Sequence, residues 1–134
     1  MGAIQIIAEI KWNNRDPVYI QVIRYFKTRI ASGSLEAGQE IPSRRELAAM
    51  LKINPNTAQR AYKEMEEQGL IHTERNLPSR ITTDREVLAG VREELIQSAL
   101  ADFLDSIRPM DIPLEELLEL VKRQYRGKGG AGHD

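Results

Sequence analysis

The chain is predicted to be mainly α-helical with a single small β-hairpin, which stands between an N-terminal group of helices and a C-terminal pair. Three observations predict this. Helix-opening signals occur four times, at Asp16-Pro17, Ser43 with Glu46, Asn54-Pro55, and Thr83 with Glu86. Each is a capping residue followed by proline at the first helical position or by the glutamate of a capping box. Behind each signal, and again from Leu114, apolar residues recur at helical spacing. Leu70–Thr73 and Arg80–Thr83, by contrast, read as two short strands flanking Glu74 to Ser79. A length of 134 residues leaves room for one domain, or one small domain with an appendage.

Each element has its own justification. Ile4, Ile6, Ala8 and Ile10 alternate with other residues and predict a short strand ending near Trp12. Asn13-Asn14-Arg15 is a turn, after which Asp16 caps a first helix with Pro17 at its first position. Tyr19, Val22, Ile23, Phe26 and Ile30 give that helix its apolar face, and Gly33 stops it. Leu35 to Gln39 is a loop with a turn at Gly38. The second helix, capped by Ser43, carries Leu47, Ala48, Met50 and Leu51 and is only about ten residues long. Lys52-Ile53 then turns the chain into a third helix capped by Asn54, with Ala58, Ala61, Tyr62 and Met65 as its apolar positions and Gly69 as its end. Beyond the hairpin, Thr83 caps a long helix to about Arg108, and Pro109 and Pro113 bracket a break. Leu114, Leu117, Leu118, Val121 and Tyr125 define a last amphipathic helix. Gly127 to Asp134 is glycine-rich and expected to be disordered.

A short second helix joined by a tight turn to a capped third helix, with a hairpin following, is the order of a winged helix-turn-helix. The expected division is a winged domain over 1–83, a two-helix dimerisation module over 84–126 and a tail over 127–134. On the third helix, Ala61, Tyr62 and Met65 lie within about 60° of Ala58. Gln59, Lys63, Asn56 and Arg60 lie at about 100°, 140°, 160° and 200° from it. One face is therefore core, and the other is a row of amide and cationic groups beside a helix N-terminus. Such groups can hydrogen-bond base edges in a major groove, while open N–H groups favour phosphate. The pattern alone fits an ordinary solvated face equally well.

Composition removes other classes. The chain has no cysteine and only His72 and His133, so thiolate metal sites, disulfides and histidine clusters are excluded. No Gly-rich phosphate loop or catalytic triad appears, and no enzyme or cofactor is expected. Glu115 and Glu116 are adjacent and diverge by about 100° on a helix, which suits helix-terminus electrostatics rather than paired acid chemistry. The longest apolar runs are a few residues, too short for a membrane span or secretory core, so a cytoplasmic protein is expected. The net charge of −1 conceals a split. Residues 11–81 hold 12 Lys/Arg against 8 Asp/Glu, and residues 82–134 hold 7 against 11. A basic first part suggests a polyanion partner there.

The residues themselves are more specific than their pattern. Asp16-Pro17-Val18-Tyr19-Ile20-Gln21-Val22, Ile30 to Gly38 and Ile41-Pro42-Ser43-Arg44-Arg45-Glu46-Leu47-Ala48 resemble the GntR family of bacterial transcription regulators. Asn54-Pro55-Asn56-Thr57-Ala58-Gln59-Arg60-Ala61-Tyr62, running to Gly69-Leu70-Ile71, resembles its YtrA branch, as do the chain length and two-helix tail. The resemblance implies a dimeric winged-helix DNA binder, usually a repressor, with a C-terminal module for dimerisation or sensing. It implies DNA contact by Arg45 at the start of helix two and by Asn56, Thr57, Gln59 and Arg60 on the recognition helix. Lys63 shares that exposed face. Ser43 suits a phosphate contact as well as its cap, and Arg44 either touches phosphate or is solvated. The wing departs from the family's Gly-x-Gly-aromatic pattern, carrying Arg75-Asn76-Leu77-Pro78-Ser79-Arg80-Ile81 instead. Asn76 can take positive φ and Pro78 cannot, so the tip differs in shape, while Arg75 and Arg80 remain able to meet phosphates. His72 reads as a strand-surface residue within reach of the DNA backbone.

The tail is too apolar for itself. Leu88, Val91, Leu95 and Ala99 form one stripe on the long helix, and Ile96, Leu100, Phe103 and Ile107 a second, rotated by roughly 80–120°. The last helix covers part of this surface. The rest is expected to meet a second subunit, with Leu88, Val91, Leu95, Ile96, Leu100, Phe103, Leu104, Ile107, Leu117, Leu118 and Val121 at the dimer interface. The alternative is that the long helix lies back on the winged domain. A two-fold protein would read a two-fold operator. A small-molecule effector, left open here, would have to bind at the dimer interface or between domains. The competing functional reading is a helical protein-interaction module with weak, unselective DNA affinity.

Overall fold

The structure, a computed structural model, describes residues 10–128. Its elements are α1 (Val18–Ser32), α2 (Arg44–Leu51), α3 (Pro55–Glu67), β1 (Ile71–His72), β2 (Arg80–Ile81), α4 (Arg85–Ile107), a 3-10 turn (Arg108–Met110) and α5 (Leu114–Lys128). The fold is mainly helical with a two-stranded β element, as the sequence predicts. The expected strand over Ile4, Ile6 and Ala8 lies outside the described residues, and Ile10 is not in a strand. The chain divides into two compact units, the first ending at Ile96 and the second beginning at Gln97.

The first unit is built around α1, α2 and α3. Val22, Phe26, Leu47, Ala58, Ala61, Tyr62 and Met65 are fully buried there, joined by Leu35, Ile41, Leu70, Ile71 and Ile81 from the loops and strands. Phe26 meets Tyr62 edge-to-face at 6.2 Å between ring centres, and Tyr25 meets Phe26 likewise. Alanine at 58 and 61 leaves room for the neighbouring helices to approach α3 closely.

The start of α1 differs from expectation. Pro17, not Asp16, is the capping residue: it is extended (φ −57°, ψ 145°), and its carbonyl accepts from the N–H groups of Ile20 and Gln21. The Asp16 carboxylate turns instead to Asn13 Nδ2 at 3.2 Å and Arg24 at 3.3 Å. The Arg24 hydrogen bond and then the Asn13 one hold its pKa below the usual carboxylate value. The buried Gln21 side chain completes the junction, accepting from Asn13 N–H at 2.9 Å and donating to the carbonyls of Asn13 and Asp16.

The helix stops behave as glycine allows. Gly33 and Gly69 take φ values of 85° and 77°. Between α2 and α3 the same left-handed conformation falls on Lys52, at φ 57°. α2 is eight residues, shorter than expected. Its capping box is complete: Glu46 N–H donates to Ser43 Oγ at 3.1 Å and Ser43 N–H to Glu46 Oε1 at 2.9 Å.

β1 and β2 pair antiparallel, with Ile71 opposite Ile81 and His72 opposite Arg80. The loop preceding α2 adds to their edge. Ile81 N–H donates to Gln39 O at 2.9 Å, Ile41 N–H to Ser79 O at 3.0 Å, and Glu40 bridges Arg80. What reads as plain loop thus extends into a third, irregular edge, because its N–H groups need partners once Ile41 is buried.

Asp84, rather than Thr83, caps α4: its Oδ1 accepts from Glu86 N–H at 2.9 Å, while Asp84 N–H donates to Thr82 Oγ1. The first stripe of α4 also departs from the expected dimer surface. Val91 is 4% exposed, and Leu88 and Leu95 pack with Val87 against the winged core. Lys27 and Glu94 close the edge of that packing at 3.0 Å. The core needs this cover, so the alternative holds for these three residues.

The second unit holds the end of α4, the 3-10 turn and α5. Pro109 sits in the 3-10 turn and Asp111 takes φ 55°, so the chain reverses before Pro113. Leu104, Ile107, Ile112 and Leu117 are half-buried. α5 continues through Gly127 to Lys128, beyond the expected start of the disordered tail, since no proline interrupts it. Residues 129–134 of that expected tail lie outside the described residues. Among the described residues, no helix is long and apolar enough to cross a membrane.

Candidate nucleic-acid interface

α3 presents its polar face because its other face is committed to the core. Ala58, Ala61, Tyr62 and Met65 are all at 0% exposure, and Asn56, Gln59, Arg60 and Lys63 are exposed, with Thr57 half-buried. The helix begins cleanly. Asn54 Oδ1 accepts from Asn56 N–H at 2.7 Å, and Pro55 occupies the first helical position, where its missing N–H costs nothing. The rest of the first turn can receive an anion.

The angle between α2 and α3 is fixed by polar contacts. Tyr62, buried in α3, donates its hydroxyl to the Pro42 carbonyl just before α2, and burial pushes its pKa well above the ordinary phenol value. Arg44 lies over the Tyr62 ring at 5.6 Å and donates to Glu66 Oε1 at 3.1 Å. Glu66 Oε2 accepts from Thr73 Oγ1 at 2.6 Å, leaving Ser79 to donate to the Thr73 oxygen at 2.6 Å. One carboxylate on α3 thereby ties the start of α2 to both arms of the wing. Arg44 is neither a free phosphate ligand nor merely solvated, although its buried Nε has no hydrogen-bond partner.

The remaining expected residues fall into two groups. Arg45, Gln59 and Lys63 are exposed and make no side-chain hydrogen bond or ion pair among the described residues. Ser43 is exposed with its hydroxyl occupied by the cap. Arg60 is exposed but restrained: its guanidinium carbon lies 3.8 Å from the Tyr19 ring centre, and Nη2 donates to Tyr19 Oη at 3.1 Å. On the wing, His72 and Arg75 are exposed, and Arg80 donates to the Gly38 carbonyl at 3.1 Å beside Glu40 at 3.8 Å. Asn76 adopts φ 64°, as its position at the tip requires, and places Leu77 at the outer edge. A cleft of about 610 Å³ runs between wing and α2, lined by Ser43, Arg44, Arg45, Leu77 and Pro78 among others. No group of three His, Asp or Glu residues able to hold a metal occurs among the described residues.

Residues 18–81 match the family described as "Bacterial regulatory proteins, gntR family". The chain is 32% identical over 120 residues to the HTH-type transcriptional repressor YtrA of Bacillus subtilis (strain 168), covering 88% of this chain and 92% of that protein. The chain belongs to the GntR family.

Other similar proteins agree. The uncharacterized HTH-type transcriptional regulator YhcF of the same organism is 31% identical, over 87% of this chain and 97% of its own. A solved structure of a GntR family transcriptional regulator from Listeria monocytogenes superposes with a TM-score of 0.76 at 32% identity, covering 84% of this chain and 98% of that one. This GntR protein is a DNA-binding transcriptional regulator. Three residues of the candidate site carry no signal in the sequence: Tyr19 beneath Arg60, and Glu66 with Thr73 between helix and wing. Tyr19 reads as one more apolar position of α1, and its partner is 41 residues away. Glu66 belongs to no motif, and its partners Arg44 and Thr73 lie outside α3.

Proposed function

We propose that this chain is a YtrA-type repressor that binds a palindromic operator as a homodimer in the cytoplasm, with α3 in the major groove. The observation that carries the reading is the split of α3 into a face wholly buried and a face of Asn56, Gln59, Arg60 and Lys63 directed to solvent. With Thr57 and Arg45 these residues would contact bases and adjoining phosphates. Ser43, Arg44, His72, Arg75 and Arg80 would approach the sugar-phosphate backbone, Arg44 and Arg80 while keeping the internal bonds described above. Repression is proposed from the similarity to the B. subtilis repressor. The winged domain over 1–83 would bind DNA and the two-helix module over 84–126 would dimerise.

Dimerisation is supported by what α4 and α5 leave uncovered. Ile96, Leu100 and Phe103 on α4 are exposed, and on α5 Leu114, Leu118 and Tyr125 are exposed at 63%, 47% and 77%. With Val121, those α5 residues fall within about 60° of one another. Glu115, Glu119, Lys122 and Arg126 follow along one flank of that stripe, acidic toward the N-terminus and basic toward the C-terminus. Antiparallel two-fold pairing of α5 with a second copy would set Glu119 against the partner's Lys122 and Glu115 against the partner's Arg126. An apolar groove of about 670 Å³, lined by Phe103, Ile107, Met110, Ile112, Leu117, Val121 and Tyr125, adjoins the stripe. A small-molecule effector of this repressor would enter there and act by changing the dimer.

The test is selection of bound sites from random duplex DNA. A two-fold motif should emerge, binding should weaken steeply with salt, and Gln59→Ala and Arg60→Ala should lose operator preference. Wild-type selectivity in both variants would refute the assignment of α3. A tight helical complex with unselective DNA affinity would favour the interaction-module reading.

A further inference from the structure

We infer that Tyr19, in the first turn of α1, is a positioning residue that holds the Arg60 guanidinium as a fixed fork for one guanine in each operator half-site. The inference rests on the proposed placement of α3 and deepens it. A separation of 3.8 Å between guanidinium carbon and ring centre is well within the range of a cation–π contact, and it is the shortest of the three such contacts among the described residues. The hydrogen bond from Nη2 to Tyr19 Oη fixes rotation of the plane as well as its height. Together they constrain a side chain that would otherwise sample many rotamers and lose them on docking.

Donor arithmetic leaves the fork usable. A guanidinium carries five N–H donors, and the tyrosine oxygen takes one. Two of the remainder suffice for O6 and N7 of guanine, the commonest specific arginine contact. The platform is itself held. Tyr19 is half-buried against the core, and the chain entering α1 is clasped by the Gln21 side chain through Asn13 and Asp16. Tyr19 would touch no base. It acts through Arg60.

The experiment compares the full chain with Arg60→Ala, Tyr19→Phe and Tyr19→Ala on the selected operator and on operators with each G·C pair replaced singly. Thermal melting and salt dependence are followed in parallel. Arg60→Ala is expected to lose discrimination at one symmetric guanine by about tenfold or more. Tyr19→Ala is expected to lose it at the same guanine and nowhere else, with the salt dependence of binding unchanged. Tyr19→Phe keeps the stacked ring and should lose less. Three outcomes overturn the inference while sparing the placement of α3: unchanged discrimination in Tyr19→Ala, a uniform loss at every position, or tighter binding, which would make Tyr19 a latch. If Arg60→Ala itself leaves every position undisturbed, the inference fails together with the reading beneath it.

Discussion

The winged unit and the C-terminal unit use apolar residues in opposite ways. Phe26 and Phe103 are the only phenylalanines in the chain. The first is fully buried between α1 and α3, whereas the second stands 40% exposed at the rim of a groove. The first unit closes its own core, even recruiting Val91 and its neighbours from α4. The second forms helices with no fully buried side chain among its described residues. Helical order and apolar burial are separable, and a unit with the first but not the second suits the second copy proposed above.

The contrast is broken most directly by truncating each phenylalanine. Phe26→Ala should cost about 3–5 kcal/mol and abolish cooperative thermal unfolding of the winged unit near its wild-type temperature. Phe103→Ala should leave that transition in place and instead lower the sedimentation-determined dimer fraction. Equal loss of fold from both would erase the distinction. A smaller effect, about 1–2 kcal/mol in dimer stability, is expected from reversing charge on one half of α5. Lys122→Glu with Arg126→Glu should weaken the proposed dimer, and adding Glu115→Lys with Glu119→Lys should restore it. Failure of the fourfold variant to recover would sink the antiparallel pairing while leaving the apolar surface as the driving contact.

The smallest effect concerns the winged unit alone. Tyr62→Phe removes one buried hydrogen bond and should cost about 1 kcal/mol at neutral pH. Burial raises the folded-state pKa of this hydroxyl above its ordinary value near 10, so its contribution is fully present below pH 10 and declines as pH rises past that value. The variant should therefore lose less stability than wild type between pH 10 and pH 12, read by denaturant midpoints.

How much of this was legible in the sequence follows the range of the interactions. Ser43 with Glu46, Asn54 with Pro55, and the stops at Gly33 and Gly69 act within a single turn, so their residues announce them. The buried quartet of α3 follows from helical periodicity. Two caps lie one residue beyond their expected places. The Asp16 carboxylate is drawn off by Asn13 and Arg24, leaving the Pro17 carbonyl to open α1, and Asp84 rather than Thr83 accepts from Glu86 N–H. What could not be read depends on chain segments meeting from afar: Gln39 beside Ile81, Glu66 between Arg44 and Thr73, Tyr19 under Arg60. The same limit explains the first stripe of α4, whose apolar residues look identical whether they face the home core or a stranger. In the binding site, exposure was legible and restraint was not.

The wing tip carries a consequence of its own. Leu77 offers water a hydrocarbon branch and Pro78 lacks even a backbone N–H, so neither side chain can form a hydrogen bond to a base edge. On the proposed DNA complex, a finger so equipped would offer the bases an apolar edge and no side-chain hydrogen bond. Sequence information would then pass almost entirely through α3, giving an operator with two short strict blocks and permissive letters wherever the finger rests.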